Sequence, residues 1–188
     1  MLTLNTNKNS KFTNYIVLAQ HMPKGLKETS GLITISANIT ESAANTFTDK
    51  KVDLQLNPLD NEVFVVYGID LDVSAPELIP ATTTDARLSM STVERSTIGG
   101  IGDSNVLAHL RITTQEGAAG AVSNTFSSDS APSTQLEYLG IIATNDFFLN
   151  ITGNNNTGVM LGSCRVYGVR AKADAAVYAA LVQSEVLS

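Results

Sequence analysis

Few residues of this chain carry the side chains from which metal sites and enzymes are built, so each can be weighed by its place. There are two histidines, His21 and His109, and one cysteine, Cys164. A zinc centre needs at least three good nitrogen, sulfur or carboxylate ligands. Two distant imidazoles and one thiol do not supply them. His109 falls on the polar side of an alternating pattern and reads as a surface residue. Cys164 lies in an apolar run and reads as a buried, inert thiol. Alone, it can form no intrachain disulfide and says little about compartment.

Gly102-Asp103-Ser104 has the residue types of one kind of esterase nucleophile block. A serine nucleophile also needs a base in hydrogen-bond reach, oriented by a third group. No Asp-x-x-His pair and no Gly-x-Ser-x-Gly elbow occurs to complete it. Nor is the glycine-rich stretch 97–105 a phosphate loop. It lacks the closing Gly-Lys-Ser/Thr and opens no helical pattern. No enzymatic activity is expected.

Asp70 and Asp72 share one face of a strand pattern. Such a pair could hold Ca²⁺ if loop oxygens joined it, because calcium takes six to eight oxygen ligands. The plainer reading is that the two carboxylates keep an otherwise apolar strand soluble or guard an edge. Three Asn-x-Ser/Thr triplets start at Asn38, Asn150 and Asn155. In a chain so rich in Asn and Thr they read as chance matches.

The elements that must position these residues are mostly strands, because the apolar pattern repeats every second residue. Stretches 32–40, 51–57, 62–73, 86–94, 105–114, 135–143, 147–152 and 158–170 alternate in this way. The longest, 62–73, puts Val63, Val65, Tyr67, Ile69, Leu71 and Val73 on one face. Residues 144–146 suit a short hairpin turn. Only 174–186 reads as helix, with Asp174 as N-cap and a stripe of Val177, Tyr178, Leu181 and Val182. So short a helix is marginal alone and must dock, on its own sheet or on a neighbouring subunit. Residues 116–134 are nearly all Gly, Ala, Ser and Thr and read as a long surface loop. About eight antiparallel strands with long loops predict an all-β sandwich.

Charged residues are 16% of the chain, against about 25% in an average domain. Neutral polar residues take their place, which favours close packing between subunits. The net charge of −6 argues against a dedicated nucleic-acid-binding domain, whose affinity rests on neutralising phosphates. The charge is uneven. Residues 1–27 hold Lys8, Lys11, Lys24 and Lys27 and no acid, so they carry +4 and the rest carries −10. The chain thus divides into a mildly basic segment, 1–27, and one sandwich domain, 28–188, that includes the helix. If any part faces nucleic acid, it is the four lysines. True basic arms are denser, with blocks of five or more charges. The opening residues lack a basic stretch followed by an apolar one, so no secretory leader is expected. No apolar run nears the ~20 residues needed to span a bilayer.

Segment order carries one resemblance. Glu62-Val-Phe-Val-Val-Tyr-Gly-Ile-Asp-Leu-Asp-Val-Ser-Ala-Pro is followed by polar loops. Then come Leu136-Glu-Tyr-Leu-Gly-Ile-Ile-Ala-Thr-Asn-Asp-Phe-Phe-Leu and the run from Arg165 through the final helix. Over residues 62–188 this resembles the small single-jelly-roll coat proteins of uncultured aquatic viruses. The resemblance implies eight strands in two facing antiparallel sheets, and many copies closing into a capsid shell in the virion. It departs from many coat proteins in lacking an Arg-rich N-terminal arm, which puts direct genome contact in doubt. The competing expectation is a non-catalytic sandwich that binds glycans or surfaces, such as an adhesin or a phage tail or decoration protein. The lack of Trp and the 6% aromatic content count against a sugar site.

Overall fold

A computed structural model describes residues 22–117, 120, 122–128 and 137–187. Its elements in chain order are β1 (Leu26–Glu28), β2 (Ile33–Thr40), β3 (Thr48–Asp53), β4 (Glu62–Val73) and β5 (Thr83–Ser91). Then follow β6 (Val106–Glu116), β7 (Val122–Ser128), β8 (Gly140–Ile142), β9 (Asp146–Asn154), β10 (Leu161–Ala173) and α1 (Ala175–Leu187). All strand pairs are antiparallel. The first sheet runs β2-β10-β4-β8, with β1 also on β10, and the second runs β3-β9-β5-β6-β7.

The pairing has a simple logic. Setting β1 and β7 aside, β2 pairs with β10, β3 with β9, β4 with β8 and β5 with β6. The first strand meets the last, the second meets the last but one, and so inward. This is one long antiparallel hairpin rolled into two facing sheets, a jelly roll. The inner sides of both sheets fill the core, where Phe64, Val66, Leu88, Met90, Ile142, Phe147, Leu149, Ile151 and Val166 are buried.

β1 and β2 form one interrupted edge strand. β4 occupies one edge of β10 from Gly162 to Lys172, so both short strands must share the other. Thr29 N–H donates to Arg170 O at 2.9 Å and Arg170 N–H donates to Ser30 Oγ at 2.8 Å, which bridges the gap. The expected boundary between residues 27 and 28 therefore falls inside β1.

The helix docks on its own sheet. Val177, Tyr178, Leu181 and Val182 pack on Val63, Val65, Ala143, Val169, Ala171 and Ala173, a second core on the outer side of the first sheet. Asp174 caps it as expected, its Oδ1 accepting from Val177 N–H at 2.9 Å. At the far end Glu185, itself buried, accepts from Ala143 N–H at 2.9 Å and Thr144 N–H at 2.8 Å. Burial pushes its carboxyl up, and the two N–H groups pull it back only in part.

Five expectations need correction. The single face proposed for 62–73 is two faces. The register of β4 against β10 slips at Tyr67, because Val66 faces Gly168 and Gly68 faces Tyr167. The extra residue is a β-bulge, which reverses the alternation. Phe64 and Val66 point inward before it, Ile69, Leu71 and Val73 after it. Gly168 is required opposite this bulge: a Cβ there would lie 2.3 Å from Val65 O and 2.5 Å from Phe64. Second, the reading of 116–134 as loop throughout fails, because Val122–Ser128 pairs with β6 as an added edge strand. Its polar sequence hid it. Third, β3 spans 48–53 rather than 51–57, because Gln55 adopts a left-handed φ of 53° that ends the strand. Leu54 and Leu56 still reach the core from the turn. Fourth, 158–160 belong to the β9–β10 loop, so β10 begins at Leu161. Fifth, residues 144–146 do not close a hairpin: β8 pairs with β4 in the first sheet and β9 with β3 and β5 in the second, so the turn crosses between sheets.

Candidate functional site

The helix covers only one half of the first sheet's outer side. On the other half, Asp72, Ser163 and Asn38 stand in register across β4, β10 and β2, with Asp70, Arg165 and Ser36 in a second row. The bulge at Tyr67 is what turns the two aspartates outward, and both are exposed. Above them lies a hollow of about 440 Å³ lined by Asn38, Thr40, Asp72, Ser74, Leu161 and Ser163. A second of about 310 Å³ continues it over Ser36, Asp70 and Arg165. Asp70 accepts a hydrogen bond from Tyr167 Oη at 2.9 Å.

This face is polar and hydrogen-bonding, with charges of both signs. Calcium finds a pair of carboxylates here and the guanidinium of Arg165 beside one of them. Among the described residues, no three His, Cys, Asp or Glu side chains gather to hold a metal ion. The arrangement suits the solubilising role for Asp70 and Asp72, or contact with a polar partner.

Of the four N-terminal lysines, Lys8 and Lys11 lie outside the described residues, as does His21. Lys24 and Lys27 are exposed. Lys27 faces Lys172 across β1 and β10, and Lys172 Nζ stands 3.6 Å from Asp60. Lys172 also faces Glu62 across β10 and β4, so acids flank this pair of lysines.

Asp103 serves its own loop. It accepts from Gly100 N–H at 2.8 Å and pairs with Arg95 at 3.2 Å, contacts that hold its carboxyl below the usual range. Cys164 is buried, and burial pushes its thiol up to about 11, far from a reactive thiolate. Asn150 is fully buried and closed to glycosylation, whereas Asn38 and Asn155 are exposed.

The densest polar structure was not foreseen. The loop joining β9 to β10 is held by side chains from two other loops at the same end of the roll. Glu77 accepts from Thr157 N–H at 2.8 Å, from Thr157 Oγ1 and from Gly158 N–H, and these bonds pull its carboxyl down. Glu41, buried, accepts from Gly153 N–H and Met160 N–H. Asn45 exchanges two bonds with the backbone of Asn156, at 2.7 and 2.8 Å. The residues that do this are 80 to 119 positions apart in sequence. Only the wealth of Asn, Thr and Glu near turns could have signalled them. The other unforeseen feature is on the second sheet. Asp85, almost fully buried, accepts from both Arg87 and Arg111, at 2.8 to 2.9 Å.

No family model matches the chain, and no curated protein matches it.

Proposed function

We propose that this chain is the structural subunit of a viral coat, self-assembling in many copies into a closed shell around a genome. The observation that supports it is the winding of the strands. Four strands go out and four return, paired first with last, as the resemblance of residues 62–188 to single-jelly-roll coat proteins implies. Coats are one of the settings in which this architecture recurs. Three further features suit the role. The loops at one end are locked to each other by Glu41, Asn45 and Glu77, which makes that end a rigid edge for a neighbour to meet. Leu78, Val159 and Leu161 stand exposed on or beside those loops, at 53%, 44% and 55%. Such apolar groups on an ordered edge gain by burial against another copy. The chain's low charge and neutral polar surface also lower the cost of desolvating large contacts.

A jelly roll also frames lectin-type modules, and the polar hollow over Asn38, Asp72 and Ser163 is the feature that favours that second reading. One experiment separates the two. Negative-stain images of the purified full chain should show uniform closed particles. A monodisperse monomer retained by a glycan array overturns the coat reading in favour of the binding module.

A further inference from the structure

On one side of the roll the first sheet ends on β2 and the second on β3. β3 carries Lys50 and Lys51, charges of the sort that keep sheet edges apart. β2 has no such guard. Its eight residues, Ile-Thr-Ile-Ser-Ala-Asn-Ile-Thr, hold no charge and no proline. Among the described residues it has a strand on one side only, β10.

Two hydrogen bonds fix which main-chain groups are free. Glu41 N–H, just past β2, donates to Met160 O at 3.0 Å, just ahead of β10. Alternation then turns the main chain of Ile33, Ile35, Ala37 and Ile39 to β10 as well, and that of Thr34, Ser36, Asn38 and Thr40 away from it. Lys50 Nζ, arriving from β3, donates to Asn38 O at 2.6 Å on that far side. Burial marks the same opening. Ile33, Ile35 and Ala37 pack on the core yet are only partly buried. Val166 and Cys164, which face Ile35 and Ala37 on β10, are 0% and 4% exposed. The flank of the core lies bare along β2.

The order of side chains says what covers it. About Ser36 the strand reads nearly the same in both directions: Ile35 matches Ala37, Thr34 matches Asn38 and Ile33 matches Ile39. An antiparallel copy centred on Ser36 therefore sets apolar residues beside apolar ones on the core side. On the outer side it sets hydroxyl and amide groups beside one another. It also brings the free N–H and C=O groups of Thr34, Ser36 and Asn38 to those of Asn38, Ser36 and Thr34 in the other chain, about six main-chain bonds. An edge that answers itself in this way is what an isologous interface requires. A strand of unrelated sequence would make the same bonds without the matched side chains.

We propose that β2 pairs antiparallel with β2 of a second copy of the chain, about a two-fold axis that lies between the two Ser36 residues and normal to the sheet. The two first sheets then run on as one, and Lys50 gives up Asn38 O. The pairing concerns two copies and holds whether or not they go on to close a shell.

The test is sedimentation of the full chain over a concentration series, with amide hydrogen exchange read at both ends of it. The wild-type chain is expected to pair. In the pair, the N–H groups of Thr34, Ser36 and Asn38 should exchange at least about tenfold more slowly than in the single chain, while those of Ile35 and Ala37 are slow in both. Ser36 is exposed, so a charge there leaves the fold intact, which circular dichroism checks. Ser36→Lys and Ser36→Asp each set like charges opposite one another at the axis and should weaken pairing by about tenfold or more. Mixed together, the two variants should pair with each other to within about a few-fold of wild type. The exchange pattern of the wild-type chain stands as a test without any variant. A chain that stays single at all concentrations overturns the proposal. So does pairing that leaves the three amides fast, and so do three amides already slow in the single chain, whose own residues would then hold the edge. Folded Lys and Asp variants that pair like wild type, or a mixture no better than either alone, also overturn it. The coat reading fails separately. A chain that pairs through β2 but forms no closed particle sinks the coat and leaves the pairing. Closed particles in which the three amides stay fast sink the pairing and leave the coat.

Discussion

Asp49 shows how much a single carboxylate can depend on what surrounds it. It stands at the edge of the second sheet, one oxygen buried without a partner. Burial pushes its carboxyl up to about 6, and the neighbouring Glu94 adds to the rise. Lys51 on the same strand does not offset this, since it is spent on Asp146 at 2.7 Å. The direction of the pH effect follows by linkage. The folded chain holds this proton more tightly than the unfolded chain, whose value is near the ordinary 3.8. The contribution of Asp49 is therefore fully present below pH 3.8 and is lost as pH rises toward about 6. Asp49→Asn should remove that loss, and its amide can donate to the orphaned Asn150 Oδ1. The variant's Tm should exceed that of wild type at pH 7 and match it near pH 4. Equal Tm differences at both pH values would show that Asp49 ionises freely. None of this could be read from the sequence, where Asp49 is one acid in the polar run Thr-Asp-Lys-Lys. Asp70 and Asp72, which do stand out in sequence, lie exposed on an open face, where Asp70 accepts from Tyr167 Oη.

At the scale of elements, alternation found the strands and missed their irregularities. β4 was legible to the residue, because its bounds follow the apolar run 62–73. Its two faces were not, because a bulge costs one residue and leaves the run of apolar types unbroken. Two glycines mark the place, Gly68 beside the extra residue and Gly168 across from it. In sequence alone they look like any others. β7 escaped for a different reason. It is an edge strand paired on one side only, so no apolar period was imposed on it. The helix was read well, since it buries a clear stripe, whereas β10 runs from 161 to 173 rather than 158 to 170 and buries residues on both of its faces. The bulge is testable. Gly168→Ala puts a methyl group into Val65 O and the Phe64 ring, so either the bulge must relax or the sheets must part. Both routes lose core contacts, and the expected cost is at least about 3 kcal/mol, the range of overpacking combined with backbone strain. Chemical denaturation with and without the substitution measures it. A loss below about 1 kcal/mol would mean that the register at Tyr67 is adaptable.

For the whole molecule, the sandwich was legible because two-residue periodicity is a property of every long strand. Its winding was legible only through resemblance, since no local pattern tells β2 to seek β10 across more than a hundred residues. Charge is the other whole-molecule property, and it leads to a prediction about the genome. A subunit of net charge −6 repels phosphate as a whole. If the chain is a coat subunit, as proposed, genome contact has to come from the acid-free stretch that holds Lys8, Lys11, Lys24 and Lys27. The structure adds that Lys27 faces Lys172 across β1 and β10, with Glu62 and Asp60 on the far side of Lys172. Four lysines release at most about four counterions per subunit, which gives a log–log salt slope near −3 on single strands. That is weak for one copy, but many copies on one genome multiply it. Replacing the four lysines by Gln should therefore lower the nucleic-acid content of particles, read by the ratio of absorbance at the nucleic-acid and protein maxima. Empty shells should still form, because β1, which holds Lys27, pairs with β10 through its backbone. Adding Lys172→Gln should lower the content further. If the fourfold variant packages as wild type does, the segment is not the genome contact, and neutralisation must come from bound cations or from a separate basic protein.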